Sequence, residues 1–377
     1  APLCTRQLAE LGARVIKIER RGSGDFARHY DHRVRGQSSH FIWTNRSKLS
    51  MTLDLKHADV TTILHKLLAG ADVLVQNLAP GAAARLGLSY EALHERFPRL
   101  IVCDISGYGD DGPYQKKKAY DLLIQSEAGF LSTTGQPGEE GMAKAGCSIA
   151  DIAAGMYAYT NILSALILRD RTGEGSHIDI SMLESLVEWM GYPMYYAYQG
   201  AEPPPRAGAS HATIYPYGPF PTGDGQSVML GLQNEREWAA FCEVVLQDAS
   251  IARDARFESN ARRSANREAL RALICQVFAS LSAQDVVVRL EEARIANAHV
   301  NDMHDVWRHP QLEARKRWVN VDSPAGSLPA LLPPGRSSAF HPRMSAVPGL
   351  GEHSDAILEQ LGYDHERIAA FKTAGVI

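Results

Sequence analysis

Between residues 6 and 105 the chain repeats one order three times: a helical stretch, a polar turn, then a short aliphatic run. Residues 6–11 read as the end of a helix closed by Gly12, and residues 15–18 as a strand. Residues 59–68 and 90–97 are helical in pattern, and the runs at 72–75 and 100–105 follow them as strands. Elements in this alternation bury their apolar faces by stacking helices on a mostly parallel sheet, so an α/β, Rossmann-like fold is expected. Residues 153–169 continue as a helix, stopped by Arg171-Thr-Gly-Glu-Gly175. In residues 176–182, Ile178, Ile180 and Met182 share one face, the alternation of a further strand.

The second half breaks this order. Pro203-Pro204-Pro205, within residues 199–208, excludes regular structure, and 216–225 carry further turn signals. Residues 227–232 read as a strand, 235 to about 309 as charged helices, 323–336 as a loop, and 354–376 as a helical tail. These shifts predict a large α/β domain of residues 1–200 plus 330–377. A smaller α+β domain at 222–320 is inserted through linkers at 200–222 and 320–335.

Composition removes several classes of function. Of the 377 residues 45% are hydrophobic and 22% charged, as in ordinary globular domains, and the net charge of −4 argues against a general nucleic-acid binder. Five scattered cysteines without CxxC spacing suit reduced thiols better than disulfides or a zinc site. The histidines form no HExxH or HxH pattern, and neither GxSxG nor a P-loop occurs. No apolar run approaches the length of a membrane span, and no signal peptide opens the chain. A cytoplasmic protein without membrane or nucleic-acid partners is expected.

In open α/β sheets, ligands bind beyond the carboxyl ends of the strands. The first strand runs into Glu19-Arg20-Arg21-Gly22-Ser23-Gly24-Asp25. The second runs into Gln76-Asn77-Leu78-Ala79-Pro80-Gly81 with Arg85 beyond, and the third ends at Ser106-Gly107-Tyr108-Gly109. A plain turn accounts for Gly22-Ser23-Gly24 alone. Three polar, glycine-bearing ends together suit a phosphorylated, nucleotide-like ligand, because arginine pairs bidentately with phosphate. Lys116-Lys117-Lys118 reads equally as a solvated loop, and Asp121, opening the apolar Leu122-Leu123-Ile124, as an N-cap. Asp151 stands among small residues in Ala143-Lys-Ala-Gly-Cys-Ser-Ile-Ala-Asp-Ile-Ala-Ala-Gly155. It is either a helix cap or a reactive carboxylate.

The chain resembles the family III coenzyme A transferases over essentially its whole length. Leu8-Ala-Glu-Leu-Gly-Ala-Arg-Val-Ile-Lys-Ile-Glu-Arg-Arg-Gly-Ser-Gly-Asp25 is similar to that family's first helix–strand unit. Asn77-Leu-Ala-Pro-Gly81 with Arg85-Leu-Gly-Leu88, Ser106-Gly-Tyr-Gly109, Arg171-Thr-Gly-Glu-Gly175 and Leu350-Gly-Glu-His-Ser-Asp355 match later signatures. The resemblance implies that Asp151 is the family's nucleophilic aspartate and that Asp121 supports it by hydrogen bonding. It implies CoA contacts for Arg20, Asn77, Leu78, Arg85, Lys118 and Tyr120. No metal and no tightly bound cofactor is implied, since the CoA thioester is itself the substrate. Racemases of the same family resemble the 118–121 segment but carry histidine where this chain has Tyr120. A phenol, with a pKa of about 10 against about 6.5 for imidazole, is a poor proton carrier at neutral pH, which favours transfer over racemisation.

Two departures bear on the expectation. The sequence opens at Ala1-Pro2, inside a segment that family members extend with an earlier strand and a loop reaching the thioester. The glycine-run loop of formyl-CoA transferases is replaced by His211-Ala-Thr-Ile-Tyr-Pro-Tyr-Gly-Pro-Phe220. This segment resembles members acting on C4–C5 dicarboxylates such as succinate, mesaconate, itaconate, citramalate or glutarate. The second carboxylate needs a cationic partner, for which Arg206 and His211 are the candidates; both also suit a solvated loop. Transfer through an aspartyl-CoA intermediate is the expected function, with an acyl-CoA racemase or isomerase, or a non-catalytic CoA-binding protein, as alternatives. The family also implies an interlocked homodimer, and the composition break at 199–222 fits the long crossing this needs.

Overall fold

The computed structural model describes residues 1–377, the side chain of Glu139 apart. The chain divides into two compact units: residues 1–128, 147–189 and 310–377 form the first, and residues 129–146 and 190–309 the second.

In the first unit, β1 (Ile16–Glu19) pairs in parallel with β2 (Leu49–Thr52), setting Ile16 opposite Leu49. A second parallel ladder holds β3 (Val73–Gln76), β4 (Ile101–Ser106) and β5 (His177–Ser181), with β4 in the middle. The parallel α/β architecture is thus present, in two ladders rather than one. Trp318–Val321 and Leu328–Leu331 add an antiparallel hairpin, the second arm lying inside the stretch expected to be a loop.

Side-chain alternation along β4 explains how both sheet faces are covered. Cys103 and Ile105 pack with Ala154, Ala158 and Ile162 of the Ile149–Thr172 helix. Val102 turns to the other face and joins Leu88 and Leu93, the latter on the Tyr90–Arg96 helix. Full burial of each such aliphatic side chain is worth about 1.5–3 kcal/mol. Against the β1–β2 pair, Met51 and Leu53 pack with Ile63, Ile357, Leu358, Ile368 and Phe371, the last four from helices Ser354–Gln360 and His365–Ala374. The expected helical tail is therefore two helices, broken near Gly362, whose φ of 84° is easily adopted only without a side chain.

The Ile149–Thr172 helix starts four residues before the apolar pattern and ends at Gly173 in the left-handed conformation. By length and composition it could cross a membrane. Here it packs on β4, β5 and the Pro2–Glu10 helix, as a core helix does.

The second unit has its own core. β6 (Tyr217–Pro221), β7 (Ser227–Gly231) and β8 (Ala296–His299) form an antiparallel sheet in that order. Phe220, Val228, Trp238, Phe241 and Phe278 fill the space beneath helices Arg267–Phe278 and Ala283–Glu292. β6 carries Pro219 and Pro221, which an edge strand tolerates. β8 lies within the stretch expected to be helical throughout.

Candidate active site

The two aspartates meet in the first unit. Asp121 opens the Asp121–Glu127 helix, but Tyr120 is that helix's N-cap residue and supplies no side-chain cap. Asp121 instead caps a different helix. Its Oδ1 accepts the backbone N–H of Ala150 at 2.8 Å and of Asp151 at 3.3 Å, at the start of the Ile149–Thr172 helix. Oδ2 accepts from the side-chain amide of the buried Gln125 at 2.6 Å, which fixes the carboxylate. Ser148, the N-cap residue of the long helix, makes no side-chain cap of its own. Asp151 is the third residue of that helix, past the N-cap position, and its own N–H is one of the two that Asp121 holds.

Asp151 is left with its carboxylate uncommitted: it accepts no hydrogen bond among the described residues. Its side chain reaches solvent, yet the surrounding protein desolvates it and pushes its carboxyl above the ordinary aspartate value, with the negative charge of Asp121 as a second cause. His40 works in the opposite direction. A carboxylate raised in this way is a better base and a better nucleophile. Gly155, one turn along, leaves room for Leu3, which an added methyl would approach to 3.2 Å. Small residues here let the helix bearing Asp151 pack closely.

The third strand end is drawn toward Asp121. A Cβ on Gly107 would lie 2.2 Å from the Ala119 side chain, so only glycine lets residues 118–121 approach β4 this closely. Tyr120 and Lys118 stand exposed in that segment. Lys117 is held differently, paired with Glu127 and lying 4.3 Å from the Tyr114 ring centroid. Arg20, just past β1, stacks at 5.4 Å on Phe26; Asn77, Leu78 and Arg85 are exposed beyond β3. In the second unit, Arg206 donates to the carbonyls of Ser132, Gln136 and Gly138. His211 Nδ1 accepts the N–H groups of Thr213 (3.2 Å) and Ile214 (3.1 Å), so the neutral ring carries its proton on Nε2. The ring stacks on Tyr217 at 5.4 Å.

Two groups of polar residues escaped the sequence reading. Tyr30 and His40 pack edge to face at 5.5 Å, with His40 Nδ1 3.7 Å from Asp31. Asp31 accepts from the N–H groups of Arg33 and Ser39 and from the Ser39 hydroxyl, and these bonds hold its carboxyl well below the usual range. Burial raises the Tyr30 phenol, with the charges of Asp25 and Asp151 as further causes. The second group is a polar row across the sheet, where Gln76, Asp104 and Asp179 occupy one register of β3, β4 and β5. Asp179 accepts the N–H of Asp110 at 3.1 Å, pinning the loop after β4. A carboxylate inside the apolar run Ile101–Ile105 was the available signal.

The model of the family described as CoA-transferase family III matches residues 1–354. A protein of Homo sapiens named succinyl-CoA:glutarate CoA-transferase is 31% identical over 382 residues, covering 100% of this chain and 86% of that protein. One from Haloarcula marismortui, named succinyl-CoA:mesaconate CoA-transferase, is 30% identical and covers 96% of this chain and 93% of its own length. The crystal structure of a CaiB/BaiF family protein from Brucella suis superposes with a TM-score of 0.84 at 33% identity, covering 96% of this chain and 95% of that one. Agreement along the full chain in both sequence and fold gives the conclusion that this protein belongs to the family III coenzyme A transferases.

Proposed function

We propose that this enzyme moves coenzyme A from an acyl-CoA thioester to a C4–C5 dicarboxylic acid, with Asp151 as the covalent carrier. One observation carries the reading: the Asp151 carboxylate accepts no hydrogen bond among the described residues, and burial, with the Asp121 charge beside it, raises its basicity. An Asp151 oxygen bonds to the thioester carbonyl carbon, the C–S bond breaks, and CoA leaves as thiolate. The thiolate then attacks the aspartyl carbonyl of the resulting anhydride, releasing the donor carboxylate and forming aspartyl-CoA. The acceptor carboxylate attacks that thioester, and the returning thiolate takes the new acyl group, restoring Asp151. No proton or electron is consumed, and one difficult exchange becomes several easier ones.

Arg20, Asn77, Leu78, Arg85, Lys118 and Tyr120 are the side chains assigned to CoA, supported by their exposure at or beyond strand ends. For the acid, the candidates are His211, through its Nε2–H, and Arg206; both belong to the second unit. The C5 diacids named for the human and Haloarcula relatives support a dicarboxylate acceptor. A cytoplasmic homodimer with interlocked chains completes the proposal.

The test is chemical trapping. Incubation with succinyl-CoA and hydroxylamine should convert Asp151 to a hydroxamate, read by peptide mass spectrometry, and Asp151→Ala should abolish transfer. Full transfer by Asp151→Ala would end the covalent mechanism.

A further inference from the structure

Asp104 stands where a strand buried in a parallel sheet should carry hydrocarbon. Both of its carboxylate oxygens are engaged. Oδ2 accepts from His177 Nε2 of β5 at 2.9 Å, and Oδ1 accepts from the Gln76 amide nitrogen of β3 at 2.8 Å. The Gln76 amide oxygen then accepts the backbone N–H of Leu78 at 2.6 Å. His177 stacks on Tyr90 at 5.3 Å with an interplanar angle of 13°, and Tyr90 stacks on His94 at 5.0 Å. A continuous chain of contacts therefore runs from β5 across β4 to the turn after β3.

An ionised carboxylate only accepts hydrogen bonds, so Asp104 dictates the orientation of both neighbours. His177 must present a protonated Nε2. Gln76 must turn its nitrogen to Asp104 and its oxygen to Leu78; the flipped amide would set donor against donor at Leu78 and acceptor against acceptor at Asp104. We infer that His177 and Asp104 are positioning residues for coenzyme A, holding the Asn77–Leu78 turn in its binding conformation through Gln76. This rests on the assignment of Asn77 and Leu78 to CoA. A turn held ready binds more tightly because less ordering remains to be done on association.

The experiment titrates coenzyme A calorimetrically into the full-length enzyme and four variants, with steady-state kinetics alongside. His177→Ala should weaken Kd for CoA, and raise KM for succinyl-CoA, by about 3- to 10-fold, the size of one net hydrogen bond. The kcat and the acceptor KM should stay unchanged. His177→Gln, which keeps a nitrogen donor at the position of Nε2, should recover most of the affinity. Gln76→Glu sets a second carboxylate against Asp104 and should weaken CoA at least as much; it decides the matter if His177→Ala does not fold. Folded His177→Ala or Gln76→Glu with unchanged affinity, or a fall in kcat alone, overturns the inference. Asn77→Ala separates the two levels. If it weakens CoA while the relay variants do not, the relay is wrong and the turn assignment stands; if it too is without effect, the assignment falls and the relay with it.

Discussion

The Asp151 carboxylate is set apart by the hydrogen bonds it does not receive. In the folded protein its carboxyl is raised, by burial first and by Asp121 second. Below about pH 3.9, the ordinary aspartate value, folded and unfolded chains are both protonated there and the residue is neutral to stability. As pH rises from there to the raised folded pKa, the unfolded chain ionises first, and above that pKa the full penalty of the charge weighs against folding. Asp151→Asn should therefore raise Tm near pH 7, with the gain shrinking as pH falls toward 4, while transfer is lost. Thermal melts of both proteins across that range check this; an Asn variant no more stable at pH 7 would contradict it. At this scale the sequence singled out Asp151 only through the family resemblance, since its local surroundings by themselves favour a cap. The resemblance gave Asp121 a hydrogen-bonding role beside Asp151, but that it caps another helix was not legible, because capping rules are local and its partner N–H groups lie 29 and 30 residues away.

Elements built on short aliphatic runs could be read almost to the residue: β3 and β4 each lie one residue further along than their patterns suggest. β2 was hidden because Leu49-Ser50-Met51-Thr52 is too short and polar, and much of its burial comes from helices more than 300 residues away in sequence. β6 was hidden by its prolines and β8 by the helical charge pattern around it. The early start of the long helix has a tertiary cause, the cap supplied by Asp121. Asp121→Ala removes that cap and should cost about 0.5–2 kcal/mol of stability, most of it felt in the first turn of the Ile149–Thr172 helix. Faster amide exchange confined to residues 149–152 is the expected sign; uniform protection along the helix would show that Asp121 does not hold it.

At the scale of the whole molecule, the second unit leaves a run of large apolar side chains in water. Tyr192, Met194, Tyr195 and Tyr198 are 54–79% exposed, where a folded chain ordinarily covers such groups. A second copy is the proposed cover, and interlocked chains cannot separate without unfolding. Sedimentation over a wide dilution range should show no folded monomer; a reversible monomer would exclude interlocking. The Asp121 clasp also bears on how this architecture varies over time. Residues 129–146 leave the first unit between two aspartates that the same clasp binds together. For a flexible segment whose ends are fixed, each doubling of length costs only about 0.6 kcal/mol. A lineage can therefore lengthen, prune or recode this excursion while the Asp121 contact, and with it the position of the proposed nucleophile, stays in place.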